Sequence, residues 1–149
     1  SSYLKDAYYI LTPTNETPKE YTLWLKNFII SAGSHCEIID YETHDKITAA
    51  ISHCPHLISA SLINTVANED SDGSYARLAD GGLKDITRIS SSSPEMWQNI
   101  CLSNPDAITS FLDKYIGTLT DAKNAVSNRD EDKLMKIFEN AKKYRDNLN

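Results

Sequence analysis

The chain has 149 residues, of which 40% are hydrophobic and 24% charged, a balance typical of one ordinary globular domain. The formal net charge is −6, and the 15 lysines and arginines are scattered, so no basic stripe is present to follow a phosphate backbone. No apolar run approaches the roughly 20 residues that are needed to cross a bilayer. We therefore expect neither nucleic acid nor a membrane as a partner.

The cysteines indicate a compartment. Cys36, Cys54 and Cys101 lie far apart in the sequence and form no Cys-x-x-Cys pair. We find no secretion signal ahead of them. We therefore expect three buried thiols in a protein of the reducing cytoplasm.

The first 41 residues have the pattern of a β-α-β unit. Residues 7–12 are β-branched and aromatic and are closed by a proline, which predicts a buried strand. Thr17 and the proline after it have the spacing of a capping box, so a helix should follow and end at Gly33. Residues 36–41 are expected to form a second short strand. One such unit cannot cover both faces of its sheet, so it needs a larger sheet to join.

A long helix is predicted over residues 43–68, with an interior proline, Pro55, that should bend it. Its buried face is predicted from spacings of four and three to comprise Ile47, Ile51, Cys54, Ile58, Leu62 and Thr65. The opposite side is predicted to carry Asp45, Ala49, Ser52, His56, Ala60 and Ile63.

The rest of the chain is expected to be helical. A polar loop at 68–74 should lead into a short helix that ends in a turn at Gly81-Gly82, and a second loop is expected at 90–93. Ser93-Pro94 and Asn104-Pro105 can each open a helix, and a final helix should follow 128–130. Apolar residues keep a four-three rhythm over 108–126, which favours a helical bundle shared between two chains; packing within one chain is the alternative.

The densest polar cluster is Ser52-His53-Cys54-Pro55-His56. On a helix, Ser52 and His56 face the same side as Asp45 and could hold a small anion. His53 and His56 are three residues apart and could in principle present two imidazoles to a metal. A third ligand at fixed spacing and the His-Glu-x-x-His pattern are both lacking, so we expect no metal site.

A second cluster lies at residues 81–88. Gly81 and Gly82 permit a turn with positive backbone dihedrals or a close approach to a ligand, and Arg88 is a natural fork for a carboxylate. The alternative is a solvated loop in which Arg88 pairs locally with Asp85. None of the five glycines builds a G-x-G-x-x-G or P-loop spacing, so the chain should bind no dinucleotide by itself in the usual way.

These motifs together resemble the prephenate dehydrogenases. The shared segments, in the same order and at similar spacing, are 7–13, His44-Asp45, 52–56, 81–89 and 94–97. Arogenate and cyclohexadienyl dehydrogenases have similar patterns. Cys54 is a departure, because leucine is expected at this position. The resemblance implies an enzyme that oxidatively decarboxylates prephenate to 4-hydroxyphenylpyruvate for tyrosine synthesis, using NAD or NADP.

The resemblance also implies an organisation: a mainly α chain in which residues 1–42 end a Rossmann-type nucleotide-binding domain and 43–149 form a helical dimerisation and substrate-closing domain. The catalytic histidine and the cofactor loop of the family would lie upstream. We therefore expect a homodimer whose 149-residue portion is inactive alone and binds no cofactor. A non-catalytic helical interaction module is the alternative from another functional class.

The resemblance assigns substrate-binding roles to residues of both clusters. It implies that Arg88 binds a carboxylate of prephenate or arogenate and that Asp85 orients Arg88. His56 and Ser52 are expected to line the substrate pocket, and Trp97 to pack near Arg88. Gly81 and Gly82 would complete the site. No residue of this chain is expected to be catalytic, cofactor-binding or metal-binding.

Overall fold

The computed structural model describes residues 5–148. Two strands and eight α-helices follow one another, with a π-helical segment at Ala49–His53 and a 3-10 turn at Arg88–Ser91. Their bounds are β1 Tyr8–Leu11, α1 Lys19–Ser31, β2 His35–Ile38, α2 Tyr41–Thr48, α3 Cys54–Glu69, α4 Ser74–Leu78, α5 Gly81–Thr87, α6 Pro94–Ser103, α7 Pro105–Ser127 and α8 Glu131–Arg145. None of the described helices is long and apolar enough to cross a membrane.

The predicted fold class is confirmed: a helical domain is preceded by a short β-α-β remnant of a Rossmann-type domain. Strands β1 and β2 pair in parallel, from Tyr8 with His35 to Leu11 with Ile38, and α1 connects them. The core between sheet and helix includes Ile29 and Cys36, both buried. The other face of this sheet and helix stays exposed.

Two local predictions in this unit are wrong. The second strand ends at Ile38, because the Asp40 side chain accepts hydrogen bonds from the backbone N–H and the hydroxyl of Thr43, both at 2.7 Å, and so begins α2. Thr17 does not cap α1. Its hydroxyl accepts the backbone N–H of Thr14 at 3.1 Å instead, and α1 begins at Lys19 without a side-chain cap.

The predicted helix over 43–68 is one continuous helical run, α2 through α3, whose type changes within it. The helix is π at Ala49–His53, just before Pro55, and such a turn is one way in which a helix accommodates a residue without an N–H. Because a π turn contains an extra residue, it shifts the buried face. Cys54 is fully buried as predicted, but Ala49 is also buried and Ile51 is 73% exposed, so the predicted faces are wrong there.

The predicted turn at Gly81-Gly82 is also wrong. Both glycines lie in the first turn of α5, after the extended residue Asp80. Within residues 5–148, the glycines with left-handed backbones are Gly33 and Gly73, with φ of 83° and 72°.

The later helix starts follow the sequence signals. Ser93 caps α6 by accepting the N–H of Met96 at 3.4 Å, and Asp130 caps α8 by accepting the N–H of Lys133 at 2.9 Å. Of the three cysteine thiols, those of Cys36 and Cys54 are buried as expected, whereas Cys101 is partly exposed.

The chain divides into two compact units, the first ending at Ile108 and the second starting at Thr109. In the first unit, Ala49, Cys54 and Ile108 are buried, and the Cys54 thiol donates to the Ile108 carbonyl at 3.7 Å. In the second unit, Ala125 is buried at 2% exposure. Large apolar side chains of this unit remain exposed, among them Ile116, Leu119, Val126, Met135, Phe138 and Tyr144.

Candidate functional site

Trp97 lies between two histidines of the polar cluster. The rings of Trp97 and His56 are stacked, with centroids 3.6 Å apart and planes inclined by 21°. His53 meets Trp97 edge-on, with centroids 6.5 Å apart at 74°. Helix α6 supplies Trp97, α3 supplies His56, and His53 is the last residue of the π segment. The edge-on contact of His53 is one that aromatic ring quadrupoles favour, and the close face contact of His56 adds dispersion attraction, so the three side chains pack against one another.

The proton positions on His56 follow from its hydrogen bond. Its Nδ1 lies 3.0 Å from the backbone carbonyl oxygen of Ser52, which can only accept, so Nδ1 carries a hydrogen. A neutral His56 therefore offers a lone pair at Nε2, and a protonated His56 offers a donor there. Ser52 contributes to this arrangement through its backbone.

A cavity of about 310 Å³ opens beside the stacked rings. This volume is at the lower end of small-molecule sites in proteins. Its walls combine apolar side chains with hydroxyl, amide and imidazole groups, a mixture suited to a small ring with polar substituents. The lining residues are His56, Leu57, Ala60, Asn64, Ile89, Ser90, Ser92, Ser93, Pro94, Trp97 and Cys101.

The indole N–H of Trp97 is buried and makes no hydrogen bond to any residue in the described part of the chain. An unpaired buried donor costs about 1–3 kcal/mol. The indole packs against the rings of His53 and His56 instead.

Arg88 begins the 3-10 turn whose next two residues, Ile89 and Ser90, line the cavity. Its side chain is exposed and makes no hydrogen bond or ion pair with residues 5–148. Asp85 is also exposed, and it is joined to Arg88 through the backbone: the Arg88 N–H donates to the Asp85 carbonyl. No ion pair links the two side chains, so the guanidinium is available to a ligand.

The structure thus brings together only some of the predicted site residues. His56 and Trp97 share the cavity, and Ser52 orients His56. Gly81 and Gly82 are exposed residues of α5 and, like Asp85, are not in the cavity wall.

Ser59 was missed as a structural support of the site. It is 2% exposed, and its hydroxyl donates to the Ile86 carbonyl at 3.0 Å and lies 2.7 Å from the hydroxyl of Ser90. These bonds tie α3 to α5 and to the 3-10 turn in the cavity wall. The sequence carries no clear signal for this role, because the same helix has an exposed serine, Ser61, two residues later.

Asn104, read from the sequence only as a helix start, is a second missed support. It is 8% exposed, and its side-chain amide lies 2.8 Å from the Asp45 carbonyl and 3.4 Å from Nδ1 of His53. The amide therefore connects α2, the π segment and the start of α7.

The histidines do not assemble a metal site. Among residues 5–148, no three His, Cys, Asp or Glu side chains lie close enough to hold an ion together. His44 pairs with Asp45, with Nδ1 and the carboxylate oxygen 3.0 Å apart. His53 and His56 both contact Trp97, as already described.

Fold and site together define a mostly helical domain that follows the end of an α/β unit and holds a small-molecule cavity with one aromatic wall. A family model described as "Prephenate dehydrogenase, dimerization domain" matches residues 40–140. The chain belongs to this family. The resemblance predicted from the sequence motifs is confirmed.

Individual relatives agree with this assignment. The chain is 40% identical over 145 residues to the prephenate dehydrogenase of Bacillus subtilis (strain 168), covering 97% of this chain and 39% of that protein. The structure of A. aeolicus prephenate dehydrogenase in complex with hydroxyphenyl propionate and NAD+ is similar, with a TM-score of 0.87 and 27% identity over 95% of this chain and 50% of that one. Synechocystis arogenate dehydrogenase gives a TM-score of 0.88 and 28% identity over 95% and 52%. The chain therefore spans about half, or less, of the length of these relatives.

Proposed function

We propose that this chain is the dimerisation and substrate-binding portion of an NAD(P)-dependent dehydrogenase that converts prephenate to 4-hydroxyphenylpyruvate in tyrosine biosynthesis. The observation that carries the proposal is the stacked pair of His56 and Trp97 in the wall of the 310 Å³ cavity. A six-membered ring with polar substituents fits such a wall, because one side of it is aromatic and the remainder is mostly apolar with a few hydroxyl and amide groups.

Arg88 supplies the positive charge that a dicarboxylate needs. Its guanidinium has no partner among residues 5–148, and the turn that it begins continues into the cavity wall. A guanidinium binds a carboxylate through two parallel hydrogen bonds, which fixes both the position and the orientation of the ligand. We assign Arg88 to one substrate carboxylate at the cavity mouth. In this assignment Asp85, Gly81 and Gly82 form the helix that presents the turn.

His56 gives the cavity a polar group with two states. Its Nδ1 is occupied by the Ser52 carbonyl, so only Nε2 can face a ligand. In the neutral state this atom accepts from a substrate hydroxyl, and in the protonated state it donates to a carboxylate. Either contact positions the substrate ring and leaves the chemistry to groups elsewhere in the protein.

The dinucleotide is assigned to residues outside this chain. The turn between β1 and α1, residues 12–18, contains no glycine, so its backbone cannot make the close phosphate approach of a Rossmann fingerprint. This turn therefore offers no Rossmann-type phosphate site. In this proposal residues 1–42 complete the nucleotide-binding domain and 43–149 form the dimerisation and substrate-closing domain. The family match from residue 40 supports that boundary.

The proposed assembly is a homodimer in the cytoplasm. Apolar side chains of α7 and α8 support the dimer, because Leu119, Val126 and Phe138 are 57%, 63% and 70% exposed. The three cysteines support a reducing compartment, because all are free thiols.

Arogenate is the second candidate substrate, favoured by the similarity to Synechocystis arogenate dehydrogenase. Arogenate carries an amino group where prephenate carries a keto group, and the two share the ring carboxylate. An Arg88 contact to that shared carboxylate would serve either substrate. The choice between the two would depend on a different protein group, one that contacts the keto or amino group of the substrate.

Steady-state kinetics of the full-length enzyme test the role of Arg88. We expect Arg88→Ala to raise the KM for the preferred substrate about 10- to 150-fold, since a hydrogen-bonded charge contributes about 1.5–3 kcal/mol. The matched control is Arg77→Ala, which removes another arginine from the short helix α4. An unchanged KM in Arg88→Ala would overturn the assignment of Arg88 to the substrate.

A further inference from the structure

Asn104 makes a set of contacts that helix capping does not require. It precedes α7 and accepts the Ile108 N–H at 3.2 Å through its backbone carbonyl, as any residue at a helix start does. Its side-chain amide points elsewhere, to Asp45 and His53. The residue is 8% exposed, so these bonds form away from solvent.

The two partners of the Asn104 amide determine its orientation. The Asp45 carbonyl oxygen can only accept, so the atom 2.8 Å from it must be the amide nitrogen, Nδ2. The same nitrogen lies 3.4 Å from Nδ1 of His53 and can only donate to it. Nδ1 of His53 must then be unprotonated, and the ring hydrogen resides on Nε2.

The two histidines beside Trp97 therefore have opposite tautomers. His56 has its hydrogen on Nδ1, because the Ser52 carbonyl requires a donor there. His53 has its hydrogen on Nε2, because Asn104 requires an acceptor at Nδ1. In the neutral site, His53 presents a donor and His56 presents an acceptor at the equivalent ring atom.

The charged surroundings agree with this geometry. Burial lowers the pKa of His53; the carboxylate of Asp45 raises it, and the imidazoles of His44 and His56 lower it again, with a net lowering. The groups facing His53 from α6 and the start of α7, Trp97 and Asn104, carry no charge. A neutral His53 can keep its acceptor at Nδ1, whereas a protonated one would lose the bond to Asn104.

We propose that Asn104 is a positioning residue of the substrate cavity, which fixes the hydrogen of His53 on Nε2 and holds its ring edge-on against Trp97. The first half of this statement, that the cavity binds substrate, rests on the proposed function. The hydrogen bond to Asn104 opposes rotation of the His53 ring, because rotation would break it. The ring therefore keeps its edge contact with Trp97. Trp97 in turn keeps its face against His56, and the polar group of the cavity wall stays in place.

The sharpest variant is Asn104→Asp. It conserves volume, but its carboxylate only accepts, so the bond to the Asp45 carbonyl is lost and a bond to His53 now requires a hydrogen on Nδ1. The same carboxylate favours the imidazolium and raises the titration midpoint of His53. Asn128→Asp is the matched control, because it adds the same charge at an exposed position after α7.

Nitrogen NMR of the full-length protein, labelled at histidine side chains with ¹⁵N, reads the tautomers directly. His53→Gln and His56→Gln assign the resonances. We expect an unprotonated Nδ1 on His53 in the wild type and in Asn128→Asp, and a protonated Nδ1 with a higher midpoint in Asn104→Asp. A hydrogen on Nδ1 of wild-type His53 overturns the proposal even if the variant fails to fold, and so does an unchanged tautomer in a folded variant.

Kinetics separate this proposal from the proposed function. We expect Asn104→Asp to raise KM about 10- to 100-fold with a smaller change in kcat, since a misplaced positioning contact costs up to about 100-fold. An unchanged KM alongside the expected change of tautomer overturns the positioning role. An unchanged KM in Arg88→Ala contradicts the assigned substrate contact instead, and the tautomer assignment then stands by itself.

Discussion

Both units expose large apolar side chains, but among the described residues the buried polar side chains all lie in the first unit. In the first unit, Ser59 and Asn104 are 2% and 8% exposed, and each bridges separate segments by hydrogen bonds. In the second unit, Val126 and Phe138 are 63% and 70% exposed. Buried polar groups that are fully bonded specify one arrangement of side chains, as a binding site requires, whereas exposed apolar groups favour association with another surface.

The largest expected effect tests the apolar region. Phe138→Asp places a charge where we propose that two chains meet, and we expect the dimer dissociation constant to rise about 30-fold or more, since a buried anchor contributes about 2 kcal/mol or more. Sedimentation of the full-length protein measures it. Asn140→Asp adds the same charge to the same helix and should leave the dimer intact. Equal dissociation constants for both variants would place the dimer contact elsewhere.

A smaller effect is expected in the polar region. Ser59→Ala leaves the Ile86 carbonyl and the Ser90 hydroxyl without their partner, and we expect the free energy of unfolding to fall by about 1–3 kcal/mol. Urea denaturation measures the loss. Ser61→Ala, at an exposed position of the same helix, should change the free energy by less than about 0.5 kcal/mol. A similar value for both variants would mean that the buried serine bridge adds nothing.

The smallest expected effect is a pH dependence of the polar region. The folded-state pKa of His53 is lowered below its ordinary value of 6.5, so the unfolded chain binds a proton more readily than the folded one. This contribution to stability is complete above pH 6.5 and is lost as the pH falls from there through the folded-state pKa. Urea denaturation from pH 8 to 5 should show a shallower dependence for His53→Gln than for the wild type. Equal slopes would contradict a lowered pKa.

The sequence predicted the fold well where local signals decide it. Local signals begin α6 after Ser93, α7 at Pro105 and α8 after Asp130, and they end α1 before Gly33. Each of these signals depends on residues only a few positions apart. The π segment was not predicted, because no composition rule separates it from an α-helix. Its extra residue is also the reason why the predicted positions of Ala49 and Ile51 were exchanged between buried and exposed faces.

The sequence predicted two residues of the candidate site but not the hydrogen bonds that position them. The motif resemblance selected His56 and Trp97, which the structure stacks. It gave no indication of the amide of Asn104, whose partners Asp45 and His53 lie 59 and 51 residues away in the chain. A single sequence carries no signal for contacts at such separations, since they arise from the packing of helices.

The central claim is that substrate binds beside Trp97, and fluorine NMR of the full-length enzyme tests it most directly. Tryptophan is replaced by 5-fluorotryptophan, and Trp97→Phe and Trp24→Phe assign the two resonances of this chain. On titration with 4-hydroxyphenylpyruvate, we expect the Trp97 resonance to shift and saturate, and that of Trp24 in α1 to stay in place. A Trp97 resonance that does not move at concentrations that saturate the enzyme would contradict the account.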